Sequence, residues 1–242
     1  MHLPQIVVPE YNLKLPLTNK EVRYRGFLSK EERILLMAIE NFNNDKNDSK
    51  SLIDATIRIA QNCILTEGIN VKELPTVDLE YLFLNIRKKS IGESVEVMVA
   101  HNHEGCKHQN KITVDLDETE IKTPEEHNKR IELNSTSGLI LKYPTVEATL
   151  SQKSSESNIE NFYNFIIKSI DVIYNGDDFT KASDYEESAL RAWIDTFPPE
   201  VTKKIFKFFD TMPHLLTKIE YVCDGCGKKE AMDIVGTSNF FT

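Results

Sequence analysis

His101-Asn102-His103-Glu104-Gly105-Cys106-Lys107-His108 and, more than a hundred residues later, Cys223-Asp224-Gly225-Cys226-Gly227-Lys228 are the two stretches that organise this chain. Each supplies two ligand-type residues with two between them, His103/Cys106 and Cys223/Cys226. Together these are the four nitrogen and sulfur donors of a closed tetrahedral zinc site. The spacing lets both side chains of a pair point into one tight turn. Gly105, Gly225 and Gly227 are read as supplying the positive-φ backbone such turns need. His101 and His108 are the alternatives to His103 as the nitrogen ligand. A metal shared by both pairs brings Cys106 against Cys223 and closes the chain into one structure. Four protein ligands leave no open position, so the expected Zn2+ is structural.

A Cys-x-x-Cys pair is also a dithiol redox motif, but that motif usually opens a helix. Here Leu216-Thr217-Lys218-Ile219-Glu220-Tyr221-Val222 alternates like a strand before the pair, and Gly227 follows it. A knuckle fits that context better. The competing reading of the His-rich segment is a solvated polar turn. Cys63, among Ile57, Ile59, Ala60 and Ile64 at helical spacing, reads as an ordinary buried thiol.

Composition narrows the function classes. The chain has 242 residues, 40% hydrophobic and 28% charged, which is enough for a real core in a soluble protein. Asp and Glu number 38 against 29 Lys and Arg, for a net charge of −9, which opposes non-specific binding to nucleic acid or anionic membrane. No apolar run is long enough for a bilayer, and Met1-His2-Leu3-Pro4-Gln5 has no basic leader or cleavage site. The expected setting is a reducing cytosol, where paired cysteines favour metal over disulfide.

The predicted fold class is α+β, with amino-terminal helices, antiparallel β-hairpins bearing a zinc-ribbon-like site, and a helical insertion between the two knuckles. Residues 1–25, broken by Pro4, Pro9 and Pro16, read as an extended arm. A helical region spans 26–92. Its first helix starts at the capping box Ser29-Lys30-Glu31-Glu32, the second runs from Ser51 to Leu65, and the third from Val77 to Ser90. The period then changes to two: Val95, Val97 and Val99, then Ile112, Val114 and Leu116, predict a hairpin with the first knuckle at its tip. Strands at Arg130–Leu133 and Gly138–Tyr143 complete a β module over 93–150. Ser151–Asn158 reads as a linker. A helical insertion over 151–212 follows, with one stripe through Ile159, Phe162, Phe165, Ile166, Ile170 and Ile173, a helix through Ala189–Phe197, and one opening at Pro198-Pro199. Residues 213–242 carry the second knuckle hairpin and an aromatic tail, Asn239-Phe240-Phe241. Residues 93–242 are expected to form one structural unit.

Catalytic motifs give nothing: there is no glycine-rich phosphate loop, no Gly-x-Ser-x-Gly elbow and no His-Glu-x-x-His helix. No catalytic residue and no small-molecule substrate is predicted. Asp177, Asp178, Asp184, Glu186 and Glu187 cluster around Gly176 without the spacing of an EF-hand, and read as a solvated loop and helix start. Arg87-Lys88-Lys89 reads as complementing a helix carboxyl end. Tyr11 and Tyr24 in the arm, and Tyr81 and Phe83 on the third helix, are candidate partner anchors. Phe27 is either another anchor or a staple for the first helix.

Two segments resemble a T4-type myophage baseplate family: Arg25-Gly-Phe-Leu-Ser-Lys-Glu-Glu-Arg-Ile-Leu-Leu-Met-Ala38 and Glu73-Leu-Pro-Thr-Val-Asp-Leu-Glu-Tyr-Leu-Phe-Leu-Asn-Ile-Arg-Lys-Lys-Ser-Ile-Gly-Glu93. Lys142-Tyr143-Pro144-Thr145 and Cys223-Asp224-Gly225-Cys226-Gly227 occupy the family's later positions in order. The sequence departs from the family in having His103 where a cysteine is usual. The resemblance implies a non-enzymatic protein of the contractile-tail baseplate hub, built into it or needed for its assembly. Its partners would be hub or other tail proteins, its location the host cytoplasm during assembly and then the virion. Two other readings stand beside it: a zinc-ribbon nucleic-acid-binding or transcription-accessory protein, and a transient hub-assembly factor absent from the mature virion.

Overall fold

The computed structural model describes residues 6–44, 49–101, 105–151, 157–237 and 240. Helices and antiparallel strands alternate along them, an α+β arrangement. They divide into two units, residues 1–122 with 214–242, and residues 123–213.

The stretch read as an extended arm folds into a hairpin, β1 (Glu10–Lys14) with β2 (Glu21–Arg25). Pro9 and Pro16 lie on either side of β1, Pro4 lies outside the described residues, and Leu15, Val22 and Tyr24 are buried. Asp78 fixes the turn, accepting from the Leu17 amide at 2.8 Å and from the Thr18 amide and hydroxyl at 3.0 and 2.7 Å. Helix α1 (Ser29–Asn44) begins as expected, but its capping interaction is shifted by one residue. Glu31, not Glu32, reaches back to the Leu28 amide at 2.9 Å, while Arg25 holds both its oxygens at 3.2 Å. That ion pair is what permits a fully buried carboxylate at this position. Helix α2 (Ser49–Cys63) packs on α1, and Cys63 is buried as expected, its thiol pushed up to about 11 by desolvation.

Helix α3 (Thr76–Lys88) buries Leu79, Leu82, Phe83, Leu84 and Ile86, so it lies in a core on more than one face. Hairpin β3 (Ser94–Ala100) with β4 (Gln109–Asp115) turns Val95, Val97, Val99 and Val114 inward, as the period-two pattern requires. A short strand, β5 (Glu120–Lys122), was not expected.

The second unit is a four-stranded sheet covered by helices. It contains β6 (Arg130–Glu132), β7 (Ser137–Leu141), α4 (Val146–Leu150), α5 (Asn158–Ser169), β8 (Ile170–Asn175), β9 (Asp178–Lys181), α6 (Glu187–Ile194) and α7 (Pro199–Asp210), with strand order β6-β7-β8-β9. The helical stripe expected through Ile173 ends at Ser169. Ile170, Val172 and Ile173 instead enter a central strand, where β-branched side chains fit the pleat and β7 and β9 supply the hydrogen bonds. Pro199 sits in the first turn of α7, as expected. Leu139, Leu141, Ile166, Ile170, Ile205 and Phe208 form the centre of this core. The unit begins at 123, whereas the sequence reading began its insertion at 151, because β7 pairs with β8 and so belongs with the helices.

The chain then returns to the first unit. Strand β10 (His214–Val222) lies between β5 and β11 (Lys229–Val235). Its Ile219, with Ile234 and Phe240, joins Leu84 of α3 and the valines of β3 and β4 in one apolar cluster. The remaining tail residues Asn239 and Phe241, and most of the 151–158 linker, lie outside the described residues. Among the described residues no helix is long and apolar enough to cross a membrane.

Candidate metal centre

Two hairpin ends build the site. The last paired rung of β3–β4 is Ala100 with Gln109, and the His101 amide adds one more bond to the His108 carbonyl at 2.9 Å. This extra rung carries His101 inward, where it is 5% exposed, while Gly105 at φ +87° turns the chain to Cys106. On the other hairpin Val222 pairs with Lys229, and the Cys223 amide bonds the Lys228 carbonyl at 2.8 Å. The Gly227 amide returns to the Cys223 carbonyl at 2.7 Å, with Gly227 at φ +72°. Both hairpins thus end in the turns that the glycines at 105 and 227 make possible.

Gly225 has a different reason from the one the spacing suggested. It is not among the positive-φ glycines. A Cβ there would stand 2.6 Å from the His108 Cβ and 3.3 Å from the Cys106 sulfur. Gly225 is where one knuckle is laid against the other.

His101, Cys106, Cys223 and Cys226 converge, with all four donor atoms within 4.8 Å of one another. The Cys106 and Cys223 sulfurs are 3.8 Å apart, and His101 Nδ1 is 3.5 Å from the Cys226 sulfur. A tetrahedral zinc ion with ordinary bond lengths requires sulfur–sulfur edges of about 3.8 Å and sulfur–nitrogen edges of about 3.6 Å. The donor set therefore fits a tetrahedral cation in chemistry and in the edges measured.

Two further residues shape the donors. Glu230 on β11 places Oε1 3.1 Å from His101 Nε2, leaving Nδ1 directed toward the cysteines. Asn110 on β4, 2% exposed, bridges the hairpins: its amide nitrogen donates to the Cys223 sulfur at 3.6 Å and its oxygen accepts from the Asp224 amide at 2.8 Å. Burial opposes ionisation of Cys223, but the Gly225 and Cys226 amides, Asn110 and Cys106 outweigh it and bring the thiol down to about 6. At Cys226 the Lys228 amide favours the thiolate, yet desolvation and the neighbouring Cys223 and Cys106 thiols raise it. Hydrogen bonds to Cys106 and then Glu230 push His101 above its usual value. The Cys223 thiol is thus eased toward ionisation beside a Cys226 thiol that resists it.

Residues 8–242 match the family described as T4 bacteriophage base plate protein. The chain belongs to that family. Neither a curated relative nor a solved structure matches it. Membership agrees with the resemblance carried by the α1 and α3 segments, and marks the chain as a structural protein of a phage baseplate, a class that is generally non-enzymatic.

In this baseplate protein the other expected site residues fall in several places. His103 lies outside the described residues. His108 is exposed and outside the four-donor set, whereas His101, the other alternative, is in it. Burial removes Tyr24 and Phe83 from the candidate partner anchors, since at 2% and 1% exposure they belong to the core of the first unit. Tyr11 and Tyr81 are half-buried, and Tyr11 packs against Tyr24 with ring centroids 5.6 Å apart. Glu230 and Asn110 were missed. Asn110 had one signal, a polar residue at an inward position of an otherwise apolar strand face.

Proposed function

We propose that this chain is a non-enzymatic structural component of the hub region of a contractile-tail baseplate, held in shape by one structural Zn2+. The ligands are His101 through Nδ1, Cys106, Cys223 and Cys226, with Glu230 and Asn110 as their supports. The observation that carries the reading is the convergence of these four donors from hairpins over a hundred residues apart, in a chain of a baseplate family. When bound, the metal supplies a rigid cross-link and no chemistry, because four protein ligands fill a tetrahedral shell. Partners are hub or other tail proteins, met in the host cytoplasm during assembly, and neither nucleic acid, membrane nor a small-molecule substrate is required.

Mass spectrometry of purified virions tests the component role. Peptides of this chain in mature particles are expected. Their absence, together with failed tail assembly when the gene is disrupted, would make the chain an assembly factor that leaves. Affinity capture from infected cells should recover tail proteins. Recovery of polymerase with salt-dependent nucleic-acid binding would instead favour the zinc-ribbon regulator, which the net charge of −9 already disfavours.

A further inference from the structure

Among its described residues the second unit leaves an apolar groove unfilled. Its volume is about 480 Å³, and it is lined by Leu133, Ser137 and Ile173, by Tyr185 just before α6, and by Ala189 and Trp193 of α6. Ala189 and Trp193 are four residues apart on α6 and share one face, while Tyr185 lies in extended backbone just before the helix. Ala189 and Ser137 are small, and their size keeps the groove open. Leu190 and Tyr174 close its base, both buried in the core. Tyr185 remains 45% exposed at the mouth, and Phe179 nearby in sequence is 60% exposed.

The surroundings are strongly one-signed. Tyr185 sits between Asp184 and Glu186, with Glu187 next, and the wall residue Asn175 leads directly to Gly176, Asp177 and Asp178. All five carboxylates are exposed, and among the described residues none of them forms an ion pair. Between Asn175 and Ala189 the only cation in the sequence is Lys181. Arg191, on the next turn, is already held by Glu160 at 3.0 Å.

We propose that this groove docks a polypeptide segment of another tail protein, one bulky apolar side chain flanked by lysine or arginine. The apolar walls take the anchor, and the unpaired carboxylates take the flanking cations. This is how a central desolvated contact and a polar rim divide affinity and selectivity. The inference rests on the baseplate reading for the identity of the partner, but its chemistry stands on the groove alone.

Trp193 is the only tryptophan of the chain and lines the groove, so the site reports its own occupancy. The probe is a short peptide with one central phenylalanine between two pairs of lysines, titrated into the full-length protein while Trp193 emission is followed. A saturable shift below about 1 mM is expected. Ala189→Phe fills the groove and should abolish it. The triple change Asp184→Asn, Glu186→Gln, Glu187→Gln should weaken it about tenfold at low salt, and a peptide with glutamates in place of lysines should not bind. Unchanged thermal melting of both variants keeps folding out of the comparison.

No saturable shift, undiminished binding by Ala189→Phe, or equal binding of the glutamate peptide would each overturn the proposal. Concentration-dependent self-association blocked by Ala189→Phe would place a second copy of this chain in the groove and overturn it as well. Presence of the chain in virions is scored separately, so failure of the groove and failure of the baseplate reading give different results.

Discussion

The two units solve the same stability problem by different means. The second has a four-stranded sheet under helices and a core rich in rings, in which His127, Tyr143 and Phe208 stack with centroids 5.2 to 6.0 Å apart. In the first, the far ends of β3–β4 and β10–β11 are bare hairpins, and a two-stranded hairpin is marginal in water on its own. Their apolar contacts lie back toward α3. At the tips the contacts are sulfur, imidazole, one asparagine and one carboxylate. A unit with a deep apolar core needs no staple, whereas hairpin tips without one are where a metal contributes most.

The sharpest way to break this contrast is to remove a ligand. Cys223→Ser should lose the metal and destabilise the first unit by on the order of 5 kcal/mol or more. Hydrogen exchange should then show protection lost in β3, β4, β10 and β11 and retained in β6 to β9. Uniform loss in both units would deny that the staple is local. The converse is Phe208→Ala, which should cost the second unit about 3–5 kcal/mol by leaving a cavity. Its zinc content should stay that of the native protein, and loss of zinc there would erase the distinction.

Smaller changes sharpen the account. Gly225→Ala forces the knuckles apart and should cost about 1–3 kcal/mol, seen as easier zinc loss to a chelator and a lower melting temperature. Glu80 tests the core of the first unit away from the metal. Burial pushes its carboxyl up to about 7, against a hydrogen bond from the Thr237 amide. The folded state therefore binds more protons than the unfolded one between the ordinary glutamate range and about 7. Stability from this group is full below that window and lost as pH rises through it. Glu80→Gln should flatten the slope and gain about 2 kcal/mol at pH 8 by urea unfolding, with little effect at pH 4. Smallest is Glu230→Gln, expected to weaken zinc binding about tenfold by loosening His101 while leaving the fold intact.

How much of this was legible in the sequence follows from how local each signal is. The β3–β4 hairpin was, because Val95, Val97 and Val99 alternate cleanly and Leu116 ends the run. The cysteine pair at 223 and 226 was, because its two thiols and turn glycines are adjacent in sequence. Ile170 and Ile173 continue the helical spacing of Ile166, which does lie in α5, and only pairing with β7 and β9 makes those two strand residues. Pro9 and Pro16 suggested an arm, yet they bound the first strand rather than interrupting it. The three residues of β5 are too few for any period to show. Glu230 and Asn110 act across hairpins from distant parts of the chain, so nothing near them in sequence announces the histidine or cysteine each one touches. The place of His101 depends on one extra rung beyond Ala100, a matter of register rather than of spacing.

Zinc K-edge absorption on protein purified without a polyhistidine tag tests the central claim most directly. The account predicts one zinc per chain with three sulfur neighbours at about 2.3 Å and one nitrogen at about 2.0 Å. A well-folded protein without zinc, or a zinc shell with fewer than three sulfurs, would contradict it.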